Sequence, residues 1–189
     1  ERAYYEPIID RDYEAFSDRL MISFLDLIEV QFLEAFRYHG VKWRTIRRAF
    51  ERAREQFDAA HPLTTHRFYT DGKDILAYVA EEDRDPDLIN LVRSQYEMQD
   101  IVSPILKGAL EYTEYDQVRR WWPRGREVPI VIDPSLSFGR PVVSERRVPT
   151  DTVVATFRAT QSIQATADWY RISTIEVQQA VEYETLLAA

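Results

Sequence analysis

Two apolar repeats with helical spacing, separated by a tight turn, constrain the fold of this 189-residue chain more than any other feature. After Ser23, a good helix-capping residue, phenylalanine and isoleucine recur every four residues, which predicts a buried helix ending near Tyr38. His39-Gly40 is typical of a helix end and turn. A second helix is predicted from near Lys42 to a stop at Pro62, because apolar residues again follow at intervals of three and four. The first clear unit of the sequence is therefore a helical hairpin.

A β-hairpin is predicted directly after these two helices. The strand-like runs 67–70 and 74–79 flank Asp71-Gly72-Lys73, and Asp-Gly between two such runs is a strong hairpin signal. Two helices joined by a tight turn and followed by a hairpin indicate a winged helix-turn-helix, or part of one, over residues 1–81.

The next segment, residues 82–127, is predicted to connect two halves of the chain. It carries a helical pattern from Leu88 to about Lys107 and a second hairpin between residues 111–115 and 118–122. One more short strand is predicted over residues 128–132. The fold class that follows is α+β and mostly helical.

The tail, residues 128–189, is predicted to end in three helices. They begin at Pro149-Thr150, at Ser162 and at Ser173, the last with the capping box Ser173-Thr174-Ile175-Glu176. In the third helix the side chains expected to face inward are Ile175, Val181, Tyr183 and Leu187.

Basic side chains are concentrated in two segments, although the formal net charge of the chain is −8. Residues 41–67 hold 7 basic against 3 acidic side chains, and residues 117–158 hold 8 against 4. Any binding of anions by this acidic chain is therefore local.

The first basic segment forms a stripe along the second predicted helix and continues onto the predicted hairpin. The residues predicted to neutralise DNA phosphates are Lys42, Arg44, Arg47, Arg48, Arg52, Arg54, Arg67 and Lys73. The alternative is a salt-bridged outer helix face, because Glu51 and Glu55 interrupt the stripe. No obvious Asn, Gln or Arg triplet for base readout accompanies it.

The second basic segment is a loop rich in proline and glycine. Its arginines, Arg140, Arg146 and Arg147, are suited to bidentate contacts with carboxylates or phosphates, and the alternative is local pairing with Glu145 or Asp151. Residues 173–189 contain no Lys or Arg, which favours a protein partner over DNA for the last two helices.

Enzymatic chemistry has little support in this sequence. The chain has no cysteine and only 5 glycines, and it lacks a glycine-rich phosphate loop and a nucleophile elbow. His39, His61 and His66 are expected to be loop or capping residues rather than metal ligands. We therefore expect a non-enzymatic cytoplasmic protein without metal or cofactor and without a membrane-spanning segment.

Several strings of residues resemble a known family. Residues 130–134 (IVIDP), 137–143 (SFGRPVV) and 147–150 (RVPT), followed by three helices, strongly resemble domain-of-unknown-function family 433. Upstream, residues 22–29, 45–49 and 68–72 are similar to the longer members of that family, which are described as VapB-type antitoxins.

The resemblance implies a MerR-like DNA-binding front half, a homeodomain-like tail and a partner toxin of the PIN type, which cleaves RNA with carboxylate-held divalent metal. Since the last helix has no basic residue, we expect Arg140, Arg146 and Arg147 to pair with the carboxylates of such a toxin, and we expect the chain to repress its own operon as a homodimer. Such proteins usually begin with a recognition helix-turn-helix that we do not find before residues 4–7; it is either lost or not represented. The alternatives are a stand-alone DNA-binding regulator with a dimerising tail and, less favoured, a metal-dependent hydrolase.

Overall fold

The chain forms two compact units in the computed structural model, which describes residues 7–14, 20–93, 109–143 and 145–188. One unit takes in residues 1–107 and 112–118, and the other takes in residues 108–111 and 119–189. The mostly helical α+β class predicted from the sequence is confirmed. The predicted domain boundaries at residues 81 and 127 stay a prediction.

Four helices make up the described part of the first unit. They are α1 (Phe24–Tyr38), α2 (Trp43–Phe57), α3 (His66–Asp83) and α4 (Pro86–Arg93), with a 3₁₀ turn at Pro62–Thr64. The two helices of the predicted hairpin are confirmed. A capping box starts α1: Ser23 Oγ accepts from the Asp26 N–H at 3.0 Å, and Asp26 Oδ2 accepts from the Ser23 N–H at 2.7 Å. Of the helix predicted to reach Lys107, residues 94–107 lie outside the described residues.

The β-hairpin predicted around Asp71-Gly72 is wrong, because this segment is the middle of α3. Thr65 caps the helix, with its Oγ1 accepting from the Phe68 N–H at 3.1 Å. The buried residues of α3 follow helical spacing: Phe68, Gly72, Ile75, Leu76, Val79 and Ala80. That period of burial overrides the local turn signal, so the predicted wing is absent from the described residues.

Asp85 joins the starts of two helices in the first unit. Its Oδ2 accepts from Thr45 Oγ1 at 2.8 Å and from the Lys42 N–H at 3.4 Å, at the beginning of α2. Its Oδ1 accepts from the N–H groups of Asp87 at 3.1 Å and Leu88 at 3.4 Å, at the beginning of α4. Burial raises the pKa of Asp85, but these hydrogen bonds outweigh it and leave the pKa below the ordinary value. One carboxylate therefore caps both helices.

The second unit contains three helices and a three-stranded antiparallel sheet. A second, two-stranded sheet is divided between the units, because residues 112–118 are assigned to the first unit. The strands are β1 (Leu110–Tyr112) paired with β2 (Val118–Trp121), and β3 (Ile130–Val131), β4 (Val142–Val143) and β5 (Val148–Pro149) in the order β3-β4-β5. The helices are α5 (Thr150–Thr160), α6 (Ile163–Tyr170) and α7 (Thr174–Leu187). The predicted second hairpin, the strand after it and the three tail helices are confirmed.

The three tail helices share a small apolar core. Its buried members are Val143, Val153, Ala167, Ile172, Val177 and Ala180. Tyr183 is buried, as predicted for α7, but Ile175 is 62% exposed and Leu187 is 63% exposed, so the prediction that these two face inward is wrong. Val181 is half-buried, and the core is filled by the smaller residues Val177 and Ala180.

Four of the described helices end on a side-chain-bearing residue in the left-handed backbone region. These are Asp58 (φ 49°) after α2, Arg84 (φ 49°) after α3, Gln161 (φ 54°) after α5 and Arg171 (φ 55°) after α6. This conformation favours glycine at helix ends, because a Cβ there is crowded by the following carbonyl.

Candidate nucleic-acid interface and partner-binding loop

The predicted basic stripe lies along α2 but most of its arginines are engaged within the chain. Arg48 forms ion pairs with Glu82 and Asp83 at the end of α3, and its side chain is 33% exposed. Arg52 lies 3.5 Å from Glu55 and 5.3 Å from the centre of the Tyr78 ring. The alternative of a salt-bridged outer face therefore describes these two residues.

Arg54 and Arg47 are also held by the first unit. Arg54 Nη2 donates to the Ile8 carbonyl at 2.7 Å, and Nε lies 3.4 Å from the Ala60 carbonyl. Arg47 is half-buried. Within the described residues, the exposed cations of the set with no ion-pair partner are Lys42 and Arg44, at the start of α2, and Lys73 on α3.

The two basic residues expected on a wing lie on α3 instead. Arg67 is exposed on the first turn, where its Nε is 3.5 Å from Asp116 Oδ2. Lys73 is exposed in the middle of the same helix. Both are helix-surface groups, so the structure does not place them on the hairpin that the sequence predicted.

The loop between β3 and β4 carries the first of the predicted partner-binding arginines. Asp133 Oδ1 accepts from the Ser135 N–H at 2.8 Å, and its Oδ2 accepts from Arg120 Nε at 2.6 Å. Burial raises the pKa of Asp133, but the hydrogen bonds from Ser135 and Arg120 outweigh it and lower the pKa. This anchored carboxylate, 1% exposed, fixes the loop where it leaves β3.

The tip of this loop holds three successive residues with positive φ, namely Ser137 (46°), Phe138 (58°) and Gly139 (76°). For a bulky residue such as Phe138 this conformation is a genuine outlier, costing about 1–2 kcal/mol. The Phe138 side chain is nevertheless fully exposed, at 104% of its reference area. The chain thus holds an aromatic ring in water on a strained backbone, which is unusual for a purely structural residue.

The three loop arginines have different surroundings. Arg140 Nη2 pairs with Asp151 Oδ1 at 3.0 Å, as the local-pairing alternative predicts, and both side chains are about half exposed. Arg146 Nε donates to the Arg171 carbonyl at 3.2 Å, at the end of α6. Arg147 is exposed in the turn between β4 and β5, and no described residue forms an ion pair with it. Arg147 is therefore the most available of the three.

Sequence reasoning missed a buried cluster of acids around His61 in the first unit. His61 Nδ1 is 3.1 Å from Glu29 Oε2, and Nε2 is 3.0 Å from Asp12 Oδ1. The hydrogen bond to Glu29 is the main cause that raises the pKa of His61 to about 9, whereas burial raises the pKa of Glu29. The available signal was two acids three residues apart, Asp26 and Glu29, on the apolar face of α1.

Comparison with known proteins finds a family model and a curated protein to which the chain is similar. Residues 130–183 match the family model "Protein of unknown function (DUF433)". The chain is 24% identical over 185 residues to "Putative antitoxin VapB45" of Mycobacterium tuberculosis (strain ATCC 25618 / H37Rv), covering 94% of this chain and 77% of that protein.

A solved structure has the same fold. It is the crystal structure of Rv2018 from Mycobacterium tuberculosis, with a TM-score of 0.77 and 26% sequence identity over 93% of this chain and 85% of that one. The resemblance to family 433 and to VapB-type antitoxins that the sequence predicted is confirmed. None of the helices in the described parts of the chain is long and apolar enough to cross a bilayer.

Proposed function

We propose that this chain is the antitoxin of a type II toxin–antitoxin pair, which binds and neutralises a PIN-type ribonuclease toxin and represses its own operon by binding DNA. The observation that carries this proposal is the similarity over 94% of the chain to a relative named as an antitoxin. The proposed roles are non-enzymatic, with toxin binding assigned to the second unit and DNA binding to the first.

The toxin-binding assignment starts from the arginines of the second unit. A PIN-type active site is a cluster of carboxylates, and a guanidinium group binds a carboxylate through two parallel hydrogen bonds. Arg147 is available for such a contact without losing an ion pair to a described residue. Arg140 would exchange Asp151 for a toxin carboxylate at small cost, because exposed ion pairs contribute only about 0.2–1 kcal/mol.

Phe138 supplies the apolar part of the same surface. It lies two residues before Arg140, and its ring is fully exposed. Interfaces are dominated by a few aromatic and arginine residues seated in partner pockets, and an aromatic side chain has only two χ angles to order on binding. We therefore assign Phe138 as the anchor of the toxin interface.

Toxin binding is tested by co-expressing this chain with the ribonuclease encoded beside it and measuring RNA cleavage and co-purification. We expect Arg147→Ala and Phe138→Ala to weaken inhibition at least about tenfold, equivalent to about 1.4 kcal/mol. The matched control is Arg158→Ala, which removes an exposed arginine from α5 of the same unit. Equal inhibition by all three variants would reject the loop as the toxin site.

DNA binding is assigned to the start of α2. Lys42 and Arg44 are exposed there, and Lys73 is exposed on the neighbouring α3. Arg48 is a weaker candidate, because phosphate must displace Glu82 and Asp83 from it.

The test is the salt dependence of binding to the protein's own promoter, whose log–log slope is about −0.9 for each phosphate contact. We expect Arg44→Ala to reduce the slope by about 0.9, and Arg48→Ala to change it by less. A slope near zero for the unsubstituted protein, or no effect of Arg44→Ala, would remove the basic face of α2 from the proposal.

A stand-alone DNA-binding regulator is the second candidate. The observation that favours it is the exposed apolar end of α7, where Leu186 is 57% and Leu187 is 63% exposed, since such a surface suits a homodimer. Recovery of the protein from its native host without a ribonuclease, but bound to its promoter, would favour this candidate over the antitoxin.

A further inference from the structure

Three carboxylates converge on one imidazole in the first unit. Asp12 Oδ1 lies 3.0 Å from His61 Nε2, Glu29 Oε2 lies 3.1 Å from His61 Nδ1, and Asp26 Oδ1 lies 3.9 Å from the same Nδ1. Glu29 is 0%, Asp26 is 1% and His61 is 6% exposed. Asp12 is 41% exposed, so two buried carboxylates share one imidazole, and buried charges are stable only when they are balanced.

Asp26 provides a second, independent observation that points to a ligand at this cluster. Its Oδ2 accepts from the Ser23 N–H in the capping box, but its Oδ1 is buried and accepts no hydrogen bond from the described residues. His61 Nδ1, at 3.9 Å, is beyond hydrogen-bonding distance from this oxygen. A buried carboxylate oxygen without a donor costs about 1–3 kcal/mol or more, so it calls for a partner.

We propose that Asp12, Asp26 and His61 bind a divalent metal ion of the zinc or manganese type, with Glu29 holding the imidazole in position. A carboxylate oxygen from each aspartate and one imidazole nitrogen all lie within 4.8 Å of one another. Metal–ligand distances of about 2.0–2.2 Å place neighbouring ligand atoms roughly 3–3.5 Å apart, so ligand atoms at the 4.8 Å limit must approach by about 1.3–1.8 Å to complete the set. Mixed nitrogen and oxygen ligands suit zinc and manganese better than magnesium.

Glu29 takes the role that a carboxylate usually has beside a metal-binding histidine. Because Nδ1 lies 3.1 Å from Glu29 Oε2, Nε2 on the Asp12 side is the nitrogen we assign to the metal, and Asp26 Oδ1, which lies 3.9 Å from Nδ1, must turn toward Nε2 to join it. Glu29 is itself fixed, since its Oε1 accepts from the Leu63 N–H at 3.3 Å. Metal binding at Nε2 releases the proton from that nitrogen, and the divalent charge replaces it against the carboxylates.

The metal has a route to this site. Asp12 is 41% exposed, and His61 lines an open cleft of about 380 Å³ together with Thr65 and Asp116. The ligands come from three segments, namely residues 7–14, α1 and the turn after α2, so the ion would fasten the first of these to the helical hairpin. This site is independent of the proposed DNA and toxin contacts.

The test measures zinc binding by the full 189-residue chain after removal of metals with a chelator. Dialysis against zinc chloride followed by elemental analysis gives the stoichiometry, and titration calorimetry gives the affinity. We expect one strongly bound zinc per chain, weakened at least tenfold by Asp12→Asn and by Asp26→Asn, and about 10- to 100-fold by Glu29→Gln.

Asp10→Asn is the matched control, because Asp10 is exposed two residues from Asp12 and carries the same charge. It should leave the affinity unchanged within about a factor of two. Asp12→Asn alters a partly exposed residue and keeps the fold, which circular dichroism verifies. The proposal is overturned if the unsubstituted chain retains no zinc, or if Asp12→Asn binds zinc as well as Asp10→Asn does.

Discussion

Asp85→Ala should destabilise the first unit far more than an ordinary surface substitution. It removes the side-chain caps of α2 and α4 together, and losing one N-cap costs about 0.5–2 kcal/mol. It also leaves the hydroxyl of Thr45, which is 2% exposed, without its acceptor, at a further cost of about 1–3 kcal/mol. We expect a total loss of about 3–5 kcal/mol in the free energy of unfolding, a large share of the 5–15 kcal/mol typical of a domain.

The measurement is urea unfolding followed by far-UV circular dichroism, with Asp74→Ala, an exposed acid on α3, as the matched control. Thr45→Val in the Asp85→Ala background should recover part of the loss, because it removes the unsatisfied donor. The pKa of Asp85 is lowered in the folded chain, so its contribution is present above about pH 4 and disappears as the pH falls through the folded pKa. If Asp85→Ala lies within about 0.5 kcal/mol of the control, the shared cap is not a stabilising contact.

Three further substitutions or conditions test other parts of the structure. The pKa of His61 is raised to about 9, so its stabilising contribution is complete below about pH 6.5 and is lost as the pH rises through 9. His61→Gln should therefore remove up to about 3 kcal/mol of the change in the free energy of unfolding between these pH values. The measurement is the urea midpoint of the metal-free protein at each pH. A Cβ at Gly72 would lie 2.8 Å from the Phe68 ring, so Gly72→Ala should lower the free energy of unfolding by about 1–3 kcal/mol before the gain in helix propensity, seen as a lower thermal midpoint. An unchanged or higher midpoint would show that the Phe68 ring moves aside. Phe138→Gly should raise the free energy of unfolding by about 1 kcal/mol by releasing left-handed strain, and it should weaken toxin binding. Unchanged toxin binding would refute the anchor, and a lower free energy of unfolding would refute the strain.

Local signals in the sequence were enough to predict the helices that have a strong N-terminal cap and a regular spacing of apolar residues. Ser23 and Ser173 start α1 and α7 through capping boxes that are visible as letters in the sequence. The Asp71-Gly72 hairpin failed because a two-residue turn signal competed with burial at helical spacing along the whole of α3. Burial against a neighbouring helix is tertiary information, which the dipeptide does not carry.

The candidate sites were predictable only in part, for a related reason. Sequence identified Arg48 as basic but not its partners Glu82 and Asp83, which lie more than thirty positions away and decide how much of its charge remains available. The carboxylates around His61 come from three separate segments, so no spacing rule could bring them together. The left-handed backbone at Phe138 is likewise set by the anchored Asp133 loop rather than by its own residue type.

The helices that end on a residue in the left-handed backbone region offer positions where this chain can be made more stable. Replacing Arg84 or Gln161 by glycine would relieve a crowded Cβ while keeping the backbone hydrogen bonds that close each helix. Each change is of a kind that commonly adds about 0.5–2 kcal/mol, and none touches the apolar core. A more heat-resistant version of the molecule is therefore reachable through its helix ends alone, with both candidate interfaces left in their present sequence.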